Sequence, residues 1–179
     1  MTAQTRSKMT PAQWVILVKL VALVLALLAG GNWFKQHYRV GVNVYYNTVK
    51  SCDDHRFFLV KLTDGQMPEL GDYVQFLAPS IPEVFTERAY MTKSVVALPG
   101  DHVRVTKDAV FVNGKRLGGR PLVAKANDMG LPQYTVEMDF TVAAGEFFGL
   151  GKREEFSFDS RYWGTAKLSD IRGEVTWAI

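Results

Sequence analysis

From Trp14 to Leu28 the chain reads WVILVKLVALVLALL, fifteen residues in which Lys19 is the one charge. Ala12 and Ala29–Phe34 extend this apolar stretch past the roughly 20 residues that a helix needs to cross a bilayer. Lys19 lies toward the front of the run. There its ammonium can snorkel to the membrane surface, whereas a charge at the midplane costs about 2.5–3.5 kcal/mol. Arg6 and Lys8 before the run, and the small residues Ala29-Gly30-Gly31 at its end, also fit a cleavable signal peptide. Trp33, Phe34 and Tyr38 follow as an interfacial aromatic belt, which favours a retained anchor. The expected organisation is a short tail at 1–11, a transmembrane anchor at 12–34 and a folded domain at 35–179. Lys35 and Arg39 balance Arg6 and Lys8, so flanking charge leaves the orientation open.

The chain's 21 Lys and Arg exceed its 18 Asp and Glu by three. That excess is Arg6, Lys8 and Lys19, all within residues 1–34, which contain no acid; the remainder carries 18 basic residues against 18 acidic ones. A domain without net charge offers no basic surface for nucleic acid. With 179 residues, 47% of them hydrophobic and 22% charged, the chain can bury one core and is too apolar for disorder. Cys52 is the single cysteine, which excludes an intramolecular disulfide and a cysteine-based zinc site.

Beyond Gly41 short Val-, Phe- and Tyr-rich runs alternate with Gly, Pro and Asn-Gly, a β-rich pattern. In DHVRVTKDAVFVNGKRL, residues 101–117, strands are expected at His102–Thr106 and Ala109–Val112. A Lys107-Asp108 turn joins them, and Asn113-Gly114 supplies the positive φ of a tight hairpin. Val74, Phe76, Val95 and Ala97 fit further strands. No helix-period segment of twelve or more residues occurs outside the apolar run.

His37, His55 and His102 lack the i, i+4 spacing of a zinc helix, so no metal and no cofactor are expected. Cys52-Asp53-Asp54-His55 reads as a solvated polar loop, because four consecutive side chains rarely converge on one ion. The glycines in GGNWF and RLGGRP form no phosphate cradle. Lys93 differs: it begins the apolar strand Val95-Val96-Ala97-Leu98, which ends in a Pro-Gly turn. An ordinary lysine, with pKa about 10.4, is neutral in about one molecule in 2,500 at pH 7. It becomes a general base only where burial favours the neutral amine. The other reading of Lys93 is a side chain snorkelling from an edge strand.

Four segments, in order after the apolar run, resemble type I signal peptidases, membrane-anchored serine peptidases with a Ser-Lys dyad. ELGDYVQF at 69–76 is similar to the family's RGDVVVF-like strand, and KSVVALPGDHV at 93–103 to its KRVVGLPGD box. The meander ending in VNGK follows. GLGKREEFSFDSRYWG at 149–164 is similar to the family's GDNRxxSxDSRxWG box. The resemblance spans most of residues 13–165. It implies a mainly β, signal-peptidase-like catalytic domain with one N-terminal transmembrane helix, and Lys93 as general base. It further implies that Ser157 positions the lysine amine while Asp159 and Arg161 pair to hold their loop.

The family nucleophile follows the membrane segment in a Ser-Met-x-Pro context. Here that region reads YNTVKSCDDHRFFLV, with Ser51 as its one serine. Elimination agrees. Ser7 precedes the apolar run, Ser94 is on the strand face opposite Lys93, Ser157 and Ser160 lie in the final box, and Ser80 and Ser169 match no motif. The nucleophile box also departs from the family: Cys52 stands for the usual Met, the proline is absent, and Val49 stands where many members place an oxyanion-donating serine. Thr48 or a backbone N–H is the replacement donor. Asn47-Thr48 resembles the conjugative-transfer (TraF-like) branch, which processes pilin precursors.

The resemblance implies a single-pass protein of the bacterial inner membrane with its peptidase domain, 35–179, on the periplasmic side. Its partners would be exported precursor proteins, the lipid bilayer and secretion or conjugation machinery, with small side chains near the cleavage site. The alternative is a non-catalytic, membrane-tethered assembly factor of a secretion or conjugation system, motivated by the unusual surroundings of Ser51.

Overall fold

The computed structural model describes residues 9–43, 53–63, 66–80, 89–117, 137–153 and 157–179. The chain forms two units, residues 1–37 and 38–179.

In the first unit, helix α1 (Pro11–His37) runs for 27 residues, and none of them is buried. At 1.5 Å per residue this is about 40 Å, longer than the roughly 30 Å hydrocarbon layer. Apolar side chains cover α1 on all sides, which sets it apart from an amphipathic helix packed on a core. Thr10 and Gln13 cap its start reciprocally, Thr10 N donating to Gln13 Oε1 and Gln13 N to Thr10 Oγ1. Trp33 and Phe34 belong to the helix itself, and the Trp33 ring stacks on His37 with centroids 4.7 Å apart.

The second unit is built from antiparallel strands. These are β1 (Tyr38–Val42), β2 (Phe57–Leu62), β3 (Tyr73–Leu77), β4 (Tyr90–Ala97), β5 (His102–Val105), β6 (Val110–Val112), β7 (Lys115–Leu117), β8 (Met138–Thr141), β9 (Glu146–Leu150), β10 (Ala166–Lys167) and β11 (Ile171–Ala178). One sheet has the order β1-β2-β11-β3-β4-β9-β10, and a smaller one the order β7-β6-β5-β8. A four-residue helix, α2 (Ser160–Trp163), precedes β10.

The core follows from strand alternation. Val103, Val105, Val110 and Val112 of the small sheet pack with Ala97 of β4 and with Phe148 and Leu150 of β9. Phe147 points the other way, into a cluster with Val74, Phe76, Val95 and Ile171. Strand β9 is therefore apolar on both faces, as a strand between two layers must be. A bulge between Val95 and Ala97 lets β4 serve both clusters.

The meander occurs as expected, with ends trimmed by one residue: Thr106 and Ala109 form the connection, where Thr106 Oγ1 accepts from Ala109 N at 3.1 Å. Asn113 and Gly114 take φ of 51° and 76°, the left-handed pair that a two-residue hairpin requires. Two expectations need correction. The β-rich part starts at Tyr38, ahead of Gly41, because β1 pairs Tyr38 with Lys61. Lys93 does not begin its strand but sits inside it, because Tyr90–Thr92 continue the ladder opposite β3.

Candidate active site

Strand β4 pairs with β3 on one side and β9 on the other, placing Lys93 in the middle of the large sheet. Its residue exposure is 2%, which rules out the snorkelling edge-strand reading. Lys93 Nζ donates to Ser157 Oγ at 2.9 Å. Ser157 is itself fully buried, and among the described residues no carboxylate pairs with the Lys93 amine. A buried amine next to a hydroxyl, without a carboxylate, is unusual for a purely structural lysine, since buried charges are normally paired.

The segment that presents Ser157 is fixed to β9 by hydrogen bonds. Gly149 N donates to Ser160 Oγ at 3.0 Å, and Gly151 N to Asp159 Oδ2 at 2.9 Å. Asp159 also caps α2 by accepting from Arg161 N. Its side chain forms a bidentate pair with Arg161, Nε to Oδ1 and Nη2 to Oδ2, both 2.8 Å. Both side chains are fully buried. Arg161 Nη2 donates onward to the Ser157 carbonyl at 3.4 Å. The planar guanidinium satisfies the carboxylate at two points and reaches the backbone of Ser157, a geometry lysine cannot reproduce.

Gly149 is a close approach that the sequence reading did not single out. A Cβ there would stand 3.1 Å from Lys93 Cβ and 3.3 Å from Phe147 Cε2. A side chain would press on the lysine stem, so glycine leaves the space that Lys93 occupies.

The structure thus brings together Lys93, Ser157, Asp159 and Arg161. Ser51, Cys52 and the candidate oxyanion positions Thr48 and Val49 lie outside the described residues. The solvated-loop reading of Cys52–His55 fails at Asp53, which is buried. Its carboxylate accepts from His55 N at 2.7 Å and from the Tyr73 hydroxyl. The signal available was Tyr73 itself, the first residue of the strand in ELGDYVQF, whose hydroxyl needs a partner once buried.

A family model described as signal peptidase, peptidase S26, matches residues 12–179. Signal peptidase I of Pseudomonas aeruginosa is 30% identical over 131 residues, a match covering 60% of this chain and 44% of that protein. Plasmid transfer protein TraF of Escherichia coli is 32% identical over 129 residues, covering 61% of this chain and 72% of that one. A solved signal peptidase I from Enterococcus faecalis V583 is 26% identical with a TM-score of 0.42, covering 62% of this chain and 98% of its own. The chain thus spans less than half the length of the Pseudomonas relative. With the family model matched from residue 12 to residue 179, the chain belongs to the signal peptidase, peptidase S26, family.

Proposed function

We propose that this protein is a membrane-anchored serine endopeptidase that removes leader peptides from exported precursor proteins. Ser51 Oγ attacks the scissile carbonyl, and the Lys93 amine accepts its proton. Ser157 holds the amine in place, and the Asp159–Arg161 pair holds Ser157. The Ser51 N–H and one further donor stabilise the oxyanion. The protonated amine then passes its proton to the leaving nitrogen and activates water for deacylation. The observation that carries this reading is the buried Lys93 amine held 2.9 Å from the Ser157 hydroxyl, with no carboxylate partner among the described residues.

Helix α1 would cross the bacterial inner membrane once, with residues 35–179 on the periplasmic side, where precursors emerge. The match to plasmid transfer protein TraF supports a conjugation system, with pilin precursors as the substrate class. Substrates would lie extended, with small residues beside the cleaved bond.

The test is processing of a co-expressed precursor in membranes. Ser51→Ala and Lys93→Ala are each expected to abolish cleavage. Processing at the wild-type rate in both would overturn the dyad, and an unreactive Ser51 in the wild-type protein would favour the non-catalytic assembly factor.

A further inference from the structure

Leu150 of β9, Ser94 of β4 and Tyr73 of β3 are direct neighbours across the large sheet. Their side chains therefore share one face, and Lys93, the residue before Ser94, points to the other. Two residues beyond Leu150, the exposed Lys152 reaches back over that first face, with Nζ 4.2 Å from the centroid of the Tyr73 ring. Its side chain thus crosses β4 from β9 to β3 at the level of Ser94, behind the backbone that carries Lys93. Both ends of this crossing are tied down. The Tyr73 ring is 8% exposed, and its hydroxyl donates to the Asp53 carboxylate. On either side of Lys152, Gly151 N donates to Asp159 Oδ2 at 2.9 Å, and Arg153 Nε lies 3.4 Å from Asp54 Oδ1.

We infer that Lys152, braced on the Tyr73 ring, is a positioning residue for Lys93, an inference that rests on Lys93 being the general base. The ladder between β4 and β9 starts at Ser94, whereas β3 pairs with β4 from Tyr90 through Ser94. Among the described residues, Lys93 therefore stands where β4 loses its β9 partner and is held on the β3 side alone. A side chain that runs from the end of β9 to β3 across this point resists the parting of β4 from β9. Ser157 then fixes the tip of the lysine, and Lys152 the backbone from which it extends. The same turn serves both, since Gly151 is tied to the Asp159 that helps hold Ser157. Both partners of the brace depart from the family boxes quoted above: Lys152 stands at the aspartate of GDNR, and Tyr73 at the first valine of RGDVVVF. An ammonium and an aromatic face attract one another where aspartate and valine would not. A misplacement of about 1 Å at a reacting group can cost a hundredfold in rate, so a modest contact that removes play at Lys93 has a measurable effect.

The experiment follows cleavage of a quenched fluorescent peptide, with small residues before the cleaved bond, by the full-length protein in detergent. Lys152→Met keeps the length of the side chain and removes its charge, whereas Lys152→Arg keeps a cation that stacks on aromatic rings. Lys152→Met is expected to lower kcat about fivefold with KM within about twofold of wild type, and Lys152→Arg to restore kcat to within about twofold. Tyr73→Leu removes the ring, and adding Lys152→Met to it should lower kcat no further, because both act through one contact. Hydrogen exchange gives a readout independent of turnover: amides of β4 should exchange several-fold faster in Lys152→Met, while those of β5 and β6 keep the wild-type rate. Its melting temperature should stay within about 3 °C of wild type, which separates positioning from loss of fold. Wild-type kcat in Lys152→Met, an arginine variant as slow as the methionine one, or an undiminished effect of Lys152→Met on top of Tyr73→Leu would each overturn the inference alone. So would unchanged exchange of the β4 amides. Cleavage at the wild-type rate by Lys93→Ala, or none by the wild-type protein, would overturn the general-base assignment and this inference with it.

Discussion

Lys93 Nζ and Ser157 Oγ meet at 2.9 Å although 64 residues separate them in the chain. The contact depends on two adjacent features: β4 and β9 pair side by side, and the segment after β9 folds back so that Ser160 and Asp159 bind the N–H groups of Gly149 and Gly151. The lysine is thus placed by the sheet and its partner by a loop clamped to the neighbouring strand. This division of labour leaves the Lys93 amine little freedom to wander.

Ser157→Ala removes the oxygen that holds the amine while leaving Lys93 buried. A hydrogen bond to an ammonium is worth about 1.5–3 kcal/mol. On the proposed mechanism kcat for precursor cleavage should fall roughly ten- to hundredfold, with KM within about twofold of wild type. Steady-state kinetics in detergent decide it, and an unchanged kcat would remove Ser157 from the machinery.

Gly149→Ala tests the space around the lysine stem. The new methyl would stand 3.1 Å from Lys93 Cβ, with Phe147 Cε2 at 3.3 Å on another side, so strain falls on the lysine and the core together. Overpacking of this kind costs about 1–3 kcal/mol of stability. Displacement of the amine should cost activity more than tenfold beyond that. Parallel thermal melts and cleavage assays separate the two, and a variant that melts lower with full activity would show that Lys93 is insensitive to its stem.

What could be read ahead of the structure, and what could not, divides along physical lines. The apolar run and the Asn113-Gly114 hairpin were legible because each is decided locally, by helix length against bilayer thickness and by positive φ at two positions. Lys93 was ambiguous because spacing alone does not reveal whether a strand lies at the edge or in the middle of a sheet. Only the pairing of β4 with both β3 and β9 settles that. Asp53 was misread for the opposite reason: a polar side chain is solvated unless the fold supplies a partner, and the Tyr73 whose hydroxyl meets its carboxylate comes 20 residues later. Gly149 was invisible as a close approach, since that depends on Lys93 lying across a strand pair.

Breaking the Asp159–Arg161 pair should be costly for the fold. Arg161→Met leaves a buried carboxylate and Asp159→Ala a buried guanidinium, and an uncompensated buried charge costs about 3–5 kcal/mol. At about 2–4 °C per kcal/mol, either variant should melt roughly 10 °C below wild type. Arg161→Lys should rescue little, because an ammonium cannot make the two parallel contacts and also reach the Ser157 carbonyl. Melting temperatures by circular dichroism check this, and an Arg161→Lys protein as stable as wild type would show that charge alone suffices.

The membrane role of α1 can be challenged with one substitution. Leu25 lies near the middle of the Pro11–His37 helix, whereas Lys19 lies closer to its start. An arginine at the centre of a spanning helix costs about 2.5–3.5 kcal/mol on insertion scales, in addition to the favourable transfer lost with the leucine. Leu25→Arg should therefore shift much of the protein out of the carbonate-resistant membrane fraction, while Lys19→Leu, which removes the existing charge, should leave that fraction unchanged or larger. Two charges six residues apart, at Lys19 and position 25, cannot both snorkel to one surface without dragging the helix outward by several residues at 1.5 Å each. The same membrane-bound share for Leu25→Arg and wild type would argue that α1 does not span the bilayer.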